Sequence, residues 1–324
     1  MLKREFGKSR GRGPLADKIF KIAATVAGAY VLAVILVMML QLGWESGPLW
    51  QKEGIEFIWG TDWNAVEGRE SYGALPYIIG TLVTSAIAMI IAVPLSLGVA
   101  MFVLTAPKRI GEPMGYMVEL IAAVPSVVFG LWGLLVFRMY FKDLIEQPLH
   151  DAFGDSIFLF SGNPFGLDIL SAGIILAIMI IPTISAISRE TMLAVPQQQK
   201  EAAYMLGSTT WEMFRLAVFP YSKAGLIGAS IMGLGRAVGE TMAVTMIIGN
   251  ATGFAAIPHS LFDAGQTMPS IIANEFIEAS PASIHVSALI AVGLVLFLIA
   301  MAINVVAHFL VTRMLKIREG AVNN

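Results

Sequence analysis

Long stretches without a charged residue constrain this 324-residue sequence more than any other feature. Asp, Glu, Lys and Arg are all absent from residues 22–44, 71–107, 120–137, 169–188, 241–262 and 279–312. A helix of about 20 apolar residues crosses the hydrocarbon core of a bilayer. The pattern therefore predicts an all-α polytopic membrane protein with six transmembrane helices, at about 22–42, 77–104, 116–137, 169–188, 224–250 and 286–311.

The composition supports this class and argues against several others. Charged residues make up 14% of the chain, against roughly 25% in an average soluble domain. The net charge of -2 provides no basic field for nucleic acid. There is no cysteine, the four histidines are scattered, and Gly7-Lys8-Ser9 lacks the preceding glycine of a phosphate-binding loop. We therefore predict no catalytic residue, no metal ligand and no cofactor held by this chain.

The distribution of lysine and arginine predicts the orientation. Sixteen of the 21 lie in the two terminal tails and in the connections at 105–115 and 189–223. Four lie in the remaining connections, and Arg236 lies inside the fifth predicted helix. Because positively charged connections stay in the cytoplasm, both termini are predicted to be cytoplasmic. The opposite face then carries fourteen carboxylates against four cations, which is unfavourable for direct capture of an anion.

These assignments divide the chain into four parts. Residues 1–21 form a basic cytoplasmic tail, and 22–75 contain the first transmembrane helix and a periplasmic segment. Residues 76–312 form the transmembrane core, which includes the cytoplasmic loop 189–223. Residues 313–324 form a second cytoplasmic tail.

The cytoplasmic loop 189–223 has the composition of an ordered element. A helical pattern follows Pro196 and stops at Gly207, where we expect a sharp turn with φ > 0. Ser208 or Thr209 is a suitable cap for a second short helix, and Pro220 is expected to break the chain before the next span. From spacing alone, the loop is either a docking element for another protein or an amphipathic hairpin on the headgroups.

The same loop resembles the EAA loop of bacterial ABC-importer permeases. Glu201, Ala202, Ala203, Gly207 and Pro220 match its pattern, whereas position 217 is Ala and position 219 is Phe, where Ile and Leu are usual. The resemblance implies that the loop forms coupling helices in a cleft of a separate ATPase subunit.

Arg236 and Glu240 place two charges within the fifth predicted helix. A charge at the bilayer centre costs about 2.5–3.5 kcal/mol on insertion scales, so the pair should face the bundle interior or a wet cavity. Four residues apart, the two side chains would share a helix face, beside small residues that allow close approach, Gly228, Gly233, Gly235 and Gly239. One interpretation is a structural ion pair. The other is a substrate-binding site, in which arginine binds a tetrahedral oxyanion and glutamate accepts a hydrogen bond from the P–OH group of protonated phosphate.

Three segments resemble phosphate ABC-transporter permeases of the PstC type. They are GRAVGETMAV at 235–244, GTLVTS at 80–85 with AVPL at 92–95, and AVPSVVFGLWG at 123–133. Sulfate and molybdate permeases share Arg-Ala-x-Gly-Glu, usually followed by Phe-Gly. The resemblance runs from about residue 20 to the C-terminus.

This resemblance implies a type I ABC-importer permease fold in the bacterial inner membrane. The implied partners are a PstA-type permease, two PstB-type ATPases that hold ATP and magnesium, and a PstS-type periplasmic phosphate-binding protein. Phosphate would pass between the two permeases along a pathway that includes Arg236, Glu240, Thr241 and Ser126.

Two other functions remain open from the residues alone. A sulfate or molybdate permease would have the same architecture. A proton-coupled secondary transporter would use Arg236 and Glu240 as a relay, but such a carrier needs no ATPase-docking loop, and we detect no inverted repeat.

Overall fold

The computed structural model describes residues 13–281 and 283–322. Within these residues the helices are α1 (Gly13–Glu45), α2 (Gly47–Lys52), α3 (Leu75–Thr105), α4 (Lys108–Ala122), α5 (Ser126–Phe153), α6 (Ile169–Leu193), α7 (Gln197–Met205), α8 (210–239), α9 (Met242–Ile247), α10 (Met268–Glu275) and α11 (Ile284–Val322). Short 3₁₀ helices occupy Gly54–Ile58, Phe158–Phe160 and Gly253–Ala256. Strands β1 (Trp63–Asn64) and β2 (Ser71–Tyr72) pair antiparallel in the outer segment. The predicted tail residues 1–12 and 323–324 lie outside the described residues.

Four predicted spans correspond to single long helices. α1, α3, α6 and α11 contain the predictions at 22–42, 77–104, 169–188 and 286–311, and each is long and apolar enough to cross a bilayer. α4 and α5 together would make a fifth span. α8 occupies the remaining predicted position and is less apolar than these four helices.

α6 is the central helix of the bundle. Its apolar stretch is 67% buried within the chain, whereas that of α1 is fully exposed. α6 packs against both α3 and α8, and its residues Ile175, Ile180 and Ile184 are almost completely buried. The exposed helix α1 packs mainly against α11.

The predicted third helix at 116–137 is wrong, because the chain bends by 90° within it. α4 ends at Ala122, and α5 begins after Pro125, which has an extended conformation (φ −59°, ψ 142°). Proline has no N–H to donate and disfavours the helical conformation in the residue before it. α4 is amphipathic, and an ion pair of 3.2 Å between Glu119 and Arg189 joins it to α6.

The predicted fifth helix at 224–250 is wrong at both ends. α8 begins at Thr210, continues through Pro220 and ends at Gly239. A π-helical turn at Phe214–Val218 ends two residues before the proline, and the wider turn accommodates a residue that cannot donate an N–H. Pro220 therefore does not break the helix, and the non-helical parts of the cytoplasmic connection are confined to 194–196 and 206–209.

Two buried carboxyl groups join the outer ends of α5 and α6. Glu146 accepts hydrogen bonds from the Ser171 hydroxyl (3.0 Å) and the Gly166 N–H (2.9 Å). Asp168 caps α6 by accepting from the Ser171 N–H at 2.8 Å. Burial raises the pKa of Asp168 to about 8, and the adjacent Glu146 contributes to the rise. The raised pKa favours the protonated form of Asp168, which reduces repulsion between the two carboxyl groups.

The outer loop between α9 and α10 folds back onto α3. Gly249 pairs with Gly265 in an isolated parallel bridge, and the Met268 N–H donates to the Thr81 hydroxyl at 2.9 Å. A Cβ atom at Gly80 would overlap the carbonyl group of Gln266. This glycine therefore allows the backbone of the loop to contact α3 directly.

This close contact predicts different effects for two glycine substitutions in α3. Gly80→Ala should destabilise the protein by about 1–3 kcal/mol, because the added methyl group has no space. Gly98→Ala is the matched control, since a Cβ at Gly98 has no neighbour within 4 Å and alanine favours helix over glycine. Thermal unfolding in detergent measures both effects. Equal melting temperatures for the two variants would contradict the packing described here.

Candidate functional site

Arg236 lies on the face of α8 that the rest of the chain leaves uncovered. Ala229, Gly233 and Ala237 form the adjoining buried face, and Gly233 packs directly against Ile184 of α6. Arg236 itself is exposed. Three glycines lie on this open side of the helix, Gly228, Gly235 and Gly239. A Cβ atom added at any of them would have no neighbour within 4 Å. The open face therefore has room for a ligand or a second protein beside the arginine.

Arg236 and Glu240 do not form the ion pair that their spacing suggested. No ion pair joins them in the part of the chain that the structure describes. α8 ends at Gly239, and Glu240 is extended (φ −71°, ψ 128°). The two residues therefore do not share one helix face, since the (i, i+4) geometry requires a continuous helix. The Arg236 guanidinium instead makes a long contact of 3.5 Å with the Thr183 hydroxyl of α6.

Glu240 and Thr241 form the turn between α8 and α9. The Glu240 carboxylate accepts a weak hydrogen bond from the Ala243 N–H at 3.4 Å. The Thr241 hydroxyl donates to the carbonyl of Gly239 at 3.4 Å, and its own carbonyl accepts from the Thr245 hydroxyl at 2.7 Å. Glu240 is half-buried. The break thus separates the carboxylate from the guanidinium and places each in its own hydrogen-bonding environment.

Ser126 is the first residue of α5, which packs against α9. The two helices approach closely at Gly130, where an added Cβ would lie 3.0 Å from the Ala243 Cα and 2.7 Å from the Met246 sulfur. This packing brings together the elements that carry Ser126 and Thr241. No hydrogen bond joins Ser126 to Arg236 among the described residues.

Thr183 is a residue that the sequence interpretation missed. It follows Pro182 in the middle of α6 and is half-buried. A threonine beside a proline in a charge-free span is a local signal that could have identified it. However, Thr183 and Arg236 are 53 residues apart in the chain, and their contact depends on the packing of α6 against α8.

The loop at 189–223 contains the predicted sharp turn. Gly207 has φ +80° and follows α7 directly, and Thr209 caps the next helix in a capping box with Glu212. The expectation of a positive φ at Gly207 is confirmed, and Thr209 is the capping residue. Acceptance of hydrogen bonds from the backbone and hydroxyl of Thr209 lowers the pKa of Glu212, which favours the charged form of the cap.

Four of the five residues that match the EAA pattern are exposed, and Ala203 is buried. Ala203 packs into the cytoplasmic cluster that includes Met213 and Phe214, whereas Glu201 and Ala202 are exposed. Apolar side chains surround the turn in solvent, including Met205 and Leu206, each 88% exposed. Exposed apolar groups of this kind at a structured tip indicate a protein contact. Pro220 lies apart from this tip, within α8.

Metal binding has no support in this structure. Among residues 13–281 and 283–322, no group of three His, Asp or Glu side chains is placed to hold an ion.

These features define a helical membrane protein with an exposed apolar tip around Gly207, and comparison with known proteins identifies the class. Residues 92–316 match the family described as binding-protein-dependent transport system inner membrane component. A bacterial ABC transporter involved in import of the acidic polysaccharide alginate covers 92% of this chain and 96% of its own, with 13% identity and a TM-score of 0.59. The MetNI methionine ABC transporter covers 75% and 94%, with 16% identity and a TM-score of 0.52.

The chain therefore belongs to the family of binding-protein-dependent transport system inner membrane components. It has the type I ABC-importer permease fold and is a multi-pass inner-membrane transporter subunit, not an enzyme.

Individual relatives are more specific. The phosphate transport system permease protein PstC of Pasteurella multocida is 43% identical over 94% of both chains. That of Xylella fastidiosa strain 9a5c is 43% identical over 95% of this chain and 94% of its own. The Mesorhizobium japonicum protein of the same name is 41% identical over 96% and 94%. The predicted resemblance to PstC-type permeases is confirmed over nearly the full length.

Proposed function

We propose that this chain is the PstC-type permease subunit of an ATP-driven phosphate importer. It translocates inorganic phosphate across the bacterial inner membrane by alternating access. The observation that carries the proposal is Arg236, a cation on the open face of a helix that ends three residues later. Relatives of about 43% identity that are named phosphate permeases support the choice of substrate.

The chemistry of the broken helix suits a protonated oxyanion. The Arg236 guanidinium offers a planar set of N–H donors to phosphate oxygens, and the hydroxyl groups of Thr183, Thr241 and Ser126 can donate to the same anion as it passes. Because Arg236 does not form an ion pair with Glu240, the carboxylate is available to accept a hydrogen bond from the P–OH group. Sulfate has no such proton, but sulfate and molybdate permeases share the Arg-Ala-x-Gly-Glu pattern, so the choice of phosphate over sulfate rests on the named relatives.

The subunit works within a larger complex. We assign to it a PstA-type permease partner, two PstB-type ATPases and a PstS-type phosphate-binding protein. ATP and magnesium belong to the ATPases, and this chain holds no cofactor. The excess of lysine and arginine in the tails and in 189–223 supports cytoplasmic termini and places the Gly207 tip on the ATPase side.

The exposed tip around Gly207 is the coupling element. Glu201, Ala202 and Met205 present polar and apolar groups to the ATPase, while Ala203 fixes α7 to the cytoplasmic cluster. Because α8 runs without interruption from Thr210 to Gly239, movement of the tip displaces the helix that carries Arg236.

Substitution of Arg236 tests the substrate pathway. Arg236→Gln should abolish phosphate uptake, because the glutamine amide has neither the positive charge nor the planar set of N–H donors that hold the anion. Arg236→Lys should retain partial activity, since the ammonium group keeps the charge alone. Uptake of labelled phosphate into proteoliposomes that contain the whole complex measures both variants.

The control for loss of one cation is Arg69→Gln in the exposed outer segment, which should transport normally. Uptake by Arg236→Gln at the level of this control would contradict the proposed pathway.

Two substitutions of Gly207 test the coupling element. Gly207→Val should uncouple the ATPase, because a β-branched residue is strained at φ +80°. Gly207→Asn is the matched control, since asparagine enters this region of backbone conformation much more readily. We expect phosphate-loaded binding protein to stimulate ATP hydrolysis in the Asn variant and not in the Val variant. Full stimulation of the Val variant would show that this turn is not the coupling element.

A further inference from the structure

A cavity of about 800 Å³ opens at the end of the bundle opposite the Gly207 tip. It lies between the segment that contains β1 and β2 and the residues around the start of α11; we call it the outer cavity. Its lining includes three aromatic or imidazole rings and four carboxylates, Trp63, Tyr72, His285, Glu67, Glu70, Glu275 and Glu278. None of the described lining residues is a lysine or an arginine.

One wall of the outer cavity is held by hydrogen bonds to Glu275. The Trp63 indole N–H donates to Glu275 Oε2 at 2.8 Å, and His285 Nε2 lies 3.2 Å from the same oxygen. The Trp63 ring also packs edge-on against Tyr72, with centroids 5.1 Å apart. Within the described chain the other oxygen, Oε1, has no partner. The wall is thus fixed in place and still presents an unused acceptor.

Two polar atoms in this wall lack hydrogen-bond partners. The Tyr72 hydroxyl and His285 Nδ1 are both unpaired among the described residues, although Tyr72 is only 2% exposed and His285 only 9%. Buried polar atoms are ordinarily paired, because leaving one unpaired costs about 1–3 kcal/mol. The Tyr72 hydroxyl and His285 Nδ1 are therefore polar groups for which the described chain provides no hydrogen-bond partner.

The electrostatic field of the outer cavity favours a cation. Among the described residues, Glu70 is the one cavity carboxylate that pairs with a lysine or arginine, Lys52 at 3.2 Å, whereas Glu275 lies beside His285. Burial raises the pKa of Tyr72 to about 12, and the carboxylates of Glu70, Glu275 and Glu53 contribute to the rise. The Tyr72 hydroxyl therefore stays neutral. Among the described residues, no lysine or arginine pairs with Glu67 or Glu278 at the exposed rim of the cavity.

We propose that the outer cavity receives an arginine- or lysine-bearing segment of the soluble phosphate-binding protein. The cation lies against the partly exposed Trp63 ring, where cation–π attraction acts within about 6 Å. It pairs with the free oxygen of Glu275 and with the rim carboxylates. The choice of this partner rests on the proposed function.

The position and dimensions of the cavity favour a protein segment over a bound ion. A volume of about 800 Å³ far exceeds the space for one metal ion, and no three-residue metal cluster occurs among the described residues. The family to which the chain belongs is binding-protein-dependent, and the distribution of lysine and arginine places this cavity on the outer side.

A partner seated in the outer cavity would also contact the end of a helix linked to the substrate pathway. Glu275 is the last residue of α10. α10 packs against α9, which begins directly after Glu240 and Thr241. A docked partner would therefore lie close to α10, which packs against α9, and α9 follows the turn at Glu240 and Thr241.

The test reverses the charge of the cavity rim in the assembled complex. Glu67→Lys/Glu278→Lys changes two exposed residues whose side chains make no hydrogen bond or ion pair in the described chain. Biolayer interferometry on complexes in nanodiscs would measure Kd for phosphate-loaded binding protein at two salt concentrations. We expect Kd to rise at least about tenfold, as for close charge pairs across an interface, and to depend less on salt than for the unmodified complex.

The matched control is Glu56→Lys/Asp155→Lys, which makes the same charge change at exposed outer residues away from the cavity. Its Kd should remain within about twofold of the unmodified value. Equal losses in both variants, or no loss in the rim variant, would overturn the proposed docking pocket. Absence of phosphate uptake by the unmodified complex would instead contradict the proposed function, so the two failures are distinguishable.

Discussion

Burial of α6 between its neighbours determines where the functional residues lie. Helices in a bilayer associate through close packing, because lipid offers no hydrophobic driving force between them. Small side chains on α6, including Ala172 and Ala177, are buried and allow α3 and α8 to approach. The same helix carries Asp168 near Glu146 of α5, Thr183 beside Arg236 of α8, and Arg189 paired with Glu119 of α4. Displacement of α6 would therefore alter all three contacts.

The break at Glu240 has a chemical consequence that a continuous helix would not have. In a helix, Glu240 would neutralise Arg236, and the anion would compete with a permanent internal partner. The extended residue separates the two charges, so that in the proposed pathway the guanidinium can bind phosphate and the carboxylate can accept a hydrogen bond from its P–OH group. Non-helical backbone at membrane depth is tolerated where it is covered by protein or lines a cavity, and α5 covers this turn from one side. The outer cavity reaches the same turn through α10 and α9.

Local signals in the sequence predicted only part of this arrangement. Gly207 was identified as a turn with positive φ because helix-stopping glycines have a local signature, and long apolar runs predicted α1, α3, α6 and α11. The bend at Pro125 was missed because the apolar run continues across it. The sequence predicts a break at Pro220 because nothing in its immediate neighbourhood reveals the π-helical turn. The Arg236–Thr183 contact and the outer cavity join residues far apart in the chain, so only tertiary packing specifies them.

The central claim is that the face of α8 beside Arg236 borders the aqueous path of phosphate. The chain contains no cysteine, so one introduced cysteine reports on one position. Met232, one turn before Arg236, is 60% exposed, whereas Ala229 on the packed face is buried. In the assembled complex, with this subunit analysed by mass spectrometry, a membrane-impermeant thiosulfonate should modify Met232→Cys and leave Ala229→Cys unmodified. Transport of phosphate should slow the reaction at Met232→Cys. An unreactive Met232→Cys, or a rate that transport does not change, would contradict the account.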